Sequence, residues 1–228
     1  MGDKMGDIMR KFILLAAAFF AAPLFFAYGD TSERDLPKRP ELDLEKTAGL
    51  ILAYTNEERN RQGLQPLRKD AVLDGAALIH AKYLARNGVL SHNESKLTYP
   101  KDRVRAACPE DRPECVGDYT ETPKGPGRYI GCCGENVIES FANNTNGMPF
   151  FVVGDKNGSF RTWKGSVRWF TEEDLARDMV ARWMNSPPHR MNILMAKYSV
   201  MGVGIIWDGR ERFFGVQVFG PLKDGLKK

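Results

Sequence analysis

The chain has 228 residues, with 33 Lys and Arg against 29 Asp and Glu and a formal net charge of +4. That balance provides no concentrated cationic surface, so it gives no support to nucleic acid or a strongly anionic surface as the partner. The length leaves room for one domain with a full core.

Lys4, Arg10 and Lys11 precede an apolar run from Phe12 to Tyr28, and Ala27-Tyr28-Gly29 has the small-x-small form of a cleavage site. Residues 1–29 read as a signal peptide. The run matches the shortest membrane spans, about 17 residues, so an uncleaved anchor is the alternative. Pro23 and the small residues after it favour cleavage, and no cysteine stands there to carry a lipid. Removing the segment lowers the charge only to +3. The mature protein is expected outside the cytoplasm, secreted or periplasmic, with no stable membrane span. Residues 30–43, charged and proline-bearing, form a flexible leader.

Leu44, Ala48, Ile51, Leu52 and Thr55 recur at helical spacing and predict a helix from about Leu42 to Gln62, stopped by Gly63. A second helix carries Leu73, Ala76, Ala77, His80, Ala81 and Leu84 on one face and ends at Asn87-Gly88. His80, on that apolar face, reads as a satisfied core histidine. Val89-Leu90-Ser91-His92 follows.

Residues 93–133 form an excursion that holds Cys108, Cys115, Cys132 and Cys133. Export makes disulfides the expected state. A bond between adjacent cysteines closes a strained ring, so Cys108 and Cys115 are each expected to pair with one of Cys132 and Cys133, in either order. A zinc site is the rival, but the spacing fits no usual finger or ribbon. Gly134-Glu135-Asn136-Val137 comes next, then a second polar excursion over about 139–170, whose Trp163, Trp169 and Phe170 could line a groove. Three N-x-S/T sequons begin at Asn93, Asn143 and Asn157.

Thr171 can cap a third helix with Glu172, Glu173 and Asp174 in its first turn and Leu175, Met179, Val180 and Trp183 along its stripe. Trp183 opens WMNSPPHRMNIL, in which Ser186 offers a cap, Pro187 and Pro188 fit a first turn, and His189 and Arg190 follow at the helix start. Ser199–Trp207 and Arg212–Phe219 are β-type runs joined through Asp208-Gly209, a hairpin signal. Residues 221–228 form a tail. Helices combined with a terminal hairpin predict an α+β fold.

The segments NEERNRQGLQPLRKD…LSH, GENV, WMNSPPHRMNIL…YSVMGVGI and FFGVQVFG, in this order, resemble the CAP superfamily (SCP domains), in its bacterial form. The resemblance covers residues 44–220 apart from the two excursions. It implies a three-layer α-β-α sandwich around a central antiparallel sheet. It also implies a cleft tetrad of two histidines and two acids. His92 matches the first histidine and Glu135 the first acid. The second acid falls at Ser186, three residues after Trp183, and the second histidine at Phe214, three before Gln217, so half the tetrad is absent. The family's histidines can hold a divalent metal such as zinc, which would face His92 here.

His92 and Glu135 are therefore the candidate binding residues and the candidates for any acid–base chemistry. Asn136 is assigned to bracing a loop. His189 is assigned first to bracing the corner, with a turn into the cleft as its alternative. Arg190 is expected to tie the corner to a carboxylate or carbonyls. Ser186 as a nucleophile is rejected, because no strand-to-helix elbow surrounds it. The resemblance implies a non-enzymatic binding module for a small apolar, lipid or cell-envelope ligand. The alternatives are a His/Glu or metal-assisted hydrolase and an interaction protein with a relic cleft.

Overall fold

The computed structural model describes residues 40–112, 115, 133–144, 153–154, 160–162, 165–166, 168–210 and 212–221. The signal segment, Cys132, Trp163, Asn157 and nearly all of the leader and tail lie outside these residues.

Helix α1 (Leu44–Arg61) starts where the Asp43 carboxylate accepts the Lys46 N–H, and Gly63 follows its end at φ 69°. A two-residue strand β1 (Arg68–Lys69) leads to α2 (Ala71–Asn87), whose Asp70 cap accepts the Val72 and Leu73 N–H groups. Gly88 closes α2 in the left-handed conformation, as its place after Asn87 predicts. A short helix α3 (Pro100–Ala107) lies in the first excursion, where no element was expected. Strand β2 (Gly134–Phe141) runs three residues into the span read as the second excursion. β3 (Val153–Gly154), β4 (Phe160–Thr162) and β5 (Gly165–Ser166) form a separate small sheet. Trp169 bridges to Asn143 beside it.

Helix α4 (Glu172–Asn185) begins with the Thr171–Asp174 capping box. Helix α5 (Pro187–Ile193) follows after one residue, Ser186, whose side chain makes no cap bond. Pro188, at the second helical position, removes one of the two N–H groups such a cap would serve. β6 (Val200–Trp207) and β7 (Arg212–Gly220) form the expected hairpin, with Gly209 at φ 82° and the Asp208 carboxylate accepting the Arg210 and Arg212 N–H groups.

The main sheet has the order β1-β6-β7-β2. β6/β7 and β7/β2 are antiparallel, but β1 pairs parallel to β6 through Val200 and Met201, so the sheet is mixed and not wholly antiparallel. The fold is α+β, in three layers. On one face α1 and α4 bury Ile51, Leu175, Met179, Trp183 and Phe213. On the other, α2 and α3 cover Leu73, Ala77, Val104, Phe214 and Val216. Trp183 is fully buried and donates its indole N–H to the Val137 carbonyl at 3.2 Å, fastening α4 to β2.

Cys108 is bonded to Cys115, not to Cys132 or Cys133, and the two Cα atoms are 5.7 Å apart. The cause is local. α3 ends at Ala107, and two turn bonds, Arg112 N–H to Pro109 and Cys115 N–H to Arg112, fold the chain straight back. Cys133 is also disulfide-bonded.

Candidate functional site

The candidate site around His92 is built on buried charges behind the loop that follows α2. His80, fully buried, brings Nδ1 to Glu94 Oε1 at 2.7 Å and Nε2 to the Ser91 carbonyl at 2.8 Å. It is a satisfied core histidine, and it also fixes the backbone next to His92. Arg103 of α3, equally buried, donates to the Leu97 carbonyl at 2.8 Å and the His92 carbonyl at 3.3 Å. The same guanidinium meets Glu135 Oε2 at 2.5 Å and lies 3.7 Å from Glu94 Oε1. Its Nε is buried without a partner. One cation thus serves two buried carboxylates and two carbonyls of the His92 loop.

Glu135 sits on β2 opposite Val218, on the sheet face covered by α2 and α3. Its side chain is 2 % exposed, whereas that of His92 is 52 % exposed. His92 Nδ1 lies 3.0 Å from Glu135 Oε1, and His80 Nε2 lies 3.7 Å from the same oxygen. Oε2 is therefore held from behind by Arg103, and Oε1 is held by the exposed His92. With Nδ1 directed at the carboxylate, His92 turns its other nitrogen outward.

Asn136, next in β2, faces the opposite side. Its amide donates to Gln217 Oε1 at 3.0 Å and to the His189 carbonyl at 3.1 Å, and its oxygen accepts from Asn192 at 2.9 Å. Gln217 passes the chain on to the Thr55 hydroxyl at 2.8 Å. Asn136 is thus a fully buried strand residue that ties α5 to the sheet, not a brace within its own loop. Asn192 also donates to the Glu135 carbonyl at 3.1 Å.

Arg59, not Arg190, holds the outer side of the corner. It is fully buried and donates to the Gln65, Ile193, Met195 and Tyr198 carbonyls, while Arg190 is exposed. Burial lowers its pKa from the ordinary arginine value. Its position was readable as the continuation of the buried series Ile51, Thr55, Arg59 at four-residue steps.

These ties bring the His189 ring to 6.4 Å from the His92 ring, centroid to centroid. His189 therefore faces His92, beside the candidate site. Phe214, where the resemblance places the second histidine, is fully buried in the core under α2, opposite Glu139 rather than Glu135. Ser186 is the half-buried link between α4 and α5.

Burial, and secondarily the facing His92, hold the His189 pKa below the ordinary 6.5. Between those values the unfolded chain binds more protons than the folded one, so this residue makes stability rise with pH through that window and fall as pH drops below 6.5. A proton NMR titration is expected to place its midpoint below 6.5. A midpoint at or above that value would contradict the partial burial of the ring beside His92.

A catalytic zinc takes three protein ligands. The site offers two imidazoles, and its one carboxylate is shared between Arg103 and His92 Nδ1. Among the described residues, no three His, Cys, Asp or Glu side chains converge on a metal position. The residues present do not fit a catalytic metal.

Residues 52–125 and 133–219 match the profile described as the Cysteine-rich secretory protein family (CAP). No curated protein is significantly similar to the chain in sequence. Among solved structures, the chain is similar to an outer surface protein from Borrelia burgdorferi, with a TM-score of 0.51 and 15 % identity over 81 % of this chain and 99 % of that one. It is also similar to an extracellular protein containing an SCP domain from Bacillus anthracis, with a TM-score of 0.49 and 20 % identity over 77 % of this chain. The chain covers only 40 % of that protein. A cysteine-rich secretory protein from Staphylococcus aureus gives a TM-score of 0.42 and 20 % identity over 81 % of this chain and 41 % of that one.

Proposed function

The chain belongs to the cysteine-rich secretory protein (CAP) family, and from that premise we propose that it is an extracytoplasmic, non-enzymatic binding module for an amphiphilic cell-envelope ligand. The ligand's polar group rests against His92 and His189. Its apolar part lies over exposed side chains that neighbour the pair in sequence: Val89 and Leu90 before His92, and Met191 after His189.

One observation supports the non-enzymatic reading, and it concerns Glu135. Glu135, the cleft's acid, has one oxygen on Arg103 and the other on His92. A general base needs an oxygen within reach of the substrate's proton, and neither is open to the cleft. The exported location is supported by the basic and apolar character of residues 1–29. Among the described residues, no helix is long and apolar enough to cross a membrane.

Titration with dodecylphosphocholine below its micellar concentration tests the proposal. The wild-type protein is expected to bind it, and the double variant Leu90→Ser, Met191→Ser is expected to bind about tenfold more weakly or worse, equivalent to about 1.4 kcal/mol. Equal binding by the double variant would overturn the site. Hydrolysis of a peptide or ester substrate that is abolished by Glu135→Gln would overturn the non-enzymatic reading.

A further inference from the structure

A cavity of about 300 Å3 lies away from the histidine pair, at the outer edge of β6 between α1 and α2. Leu44 and Leu52 of α1, Leu78 of α2, and Val203 and Ile205 of β6 give it apolar walls. Its charged residues are Glu45, Asp74 and Lys69.

The cavity lies along an edge of the sheet with which, among the described residues, no strand pairs beyond β1. β1 pairs with Val200 and Met201 alone, and among the described residues no strand pairs with this edge beyond Met201. The Val203 N–H points outward, because it is taken by Asp74 Oδ1 at 2.8 Å. In an antiparallel pair, alternate residues direct both N–H and C=O away from the neighbouring strand. The Val203 carbonyl and the Ile205 N–H and carbonyl therefore face the cavity side as well. An acceptor followed by a donor at strand spacing is the pattern that pairs with an extended backbone.

The slot is closed at one end. The Asp70 N–H bonds the Met201 carbonyl at 3.1 Å, and the chain turns there from β1 into α2. A guest strand must end at that point, and Asp74 stands beside it. Asp74 Oδ1 is engaged by Val203, while Oδ2 is 3.7 Å from the exposed Lys69 ammonium. Across the lining, two carboxylates, Glu45 and Asp74, against the one ammonium of Lys69 leave the cavity net negative.

We propose that this slot captures the free N-terminus of an extended peptide bearing small apolar side chains at its first positions. The peptide's α-ammonium displaces Lys69 from Asp74 Oδ2, and its backbone runs parallel to β6, as β1 does, pairing with Val203 and Ile205. Burial raises the Asp74 pKa above the ordinary 3.8, a penalty on its charge that an arriving cation relieves.

The test uses the full chain and the tripeptide amide Ala-Val-Ala-NH2, followed by calorimetry and by the backbone amide shifts of Val203 and Ile205. The free-amine peptide is expected to shift both amides, and its N-acetylated form and the Asp74→Asn variant are each expected to weaken binding by about tenfold or more. Gly49 lines the cavity, and a Cβ there meets nothing within 4 Å, so Gly49→Phe fills the space without a clash at its Cβ. That variant is expected to keep its circular dichroism spectrum and lose the peptide. Equal affinity for the acetylated peptide, shifts confined to His92 and His189, or unchanged binding by Gly49→Phe would each overturn the proposal. Equal affinity for hexylamine would overturn its strand component.

Discussion

Replacing Arg103 with methionine is expected to lower the unfolding free energy by about 3–5 kcal/mol, the usual cost of leaving a buried charge unpaired. The side chain has no exposure, and neither Glu94 nor Glu135 can turn to water in its absence. The Leu97 and His92 carbonyls lose their donor in the same step. Methionine keeps much of the arginine stem's volume, so the loss reports the charge and the hydrogen bonds more than a void. Urea denaturation at neutral pH measures it. A loss under about 1 kcal/mol, the range of exposed ion pairs, would mean that water already shares the cluster.

Gly202→Ala is expected to cost about 3 kcal/mol, the upper end of ordinary overpacking. A Cβ at this position would stand 2.0 Å from the Leu73 carbonyl carbon and 2.1 Å from the Asp74 nitrogen. Both are backbone atoms of α2, so no side-chain rotation relieves the contact and the helix itself must move. α2 carries His80, and its shift would disturb the His92 loop as well as the core. Gly49→Ala is the opposite case, with open space around the new methyl and a gain in helix propensity of up to about 1 kcal/mol. Thermal melts of the two variants are expected to move in opposite directions. A Gly202→Ala protein that melts with the wild type would refute the close packing of α2 on β6.

The helices legible in the sequence were those with an exposed face. The almost wholly buried strands β6 and β7 were legible from their β-branched and aromatic runs and the turn between them. α1, α2 and α4 show apolar residues at helical spacing between an Asp or Thr cap and a glycine or proline stop, and the hairpin shows its Asp208-Gly209 turn. β2 gives no alternation because most of its residues are buried, on both faces of the sheet. α3 was hidden because, besides Arg103, only Val104 is buried along it. Arg103 and Glu94 lie in a polar stretch whose order comes from their partners, none of which is close in sequence apart from the loop carbonyls. For the site, the pairing of His92 with Glu135 followed from the resemblance. The placement of His189 did not, since it depends on Asn136 and Asn192 bridging β2 to α5. Counting back from Gln217 reached Phe214, on the buried face of β7 beside Glu139. The histidine that faces His92 comes instead from the corner after Trp183.

The central claim is that Glu135 is a carboxylate held by Arg103 and His92, so that Glu135 itself is not a free acid or base at the site. A long-range proton–nitrogen NMR spectrum of the imidazoles near neutral pH tests it directly. The account predicts that neutral His92 carries its proton on Nδ1, donating to Glu135, with the Nε2 lone pair facing the cleft. A proton on Nε2 with a bare Nδ1 would contradict it, because Glu135 would then have to supply the proton between them and would be available as an acid.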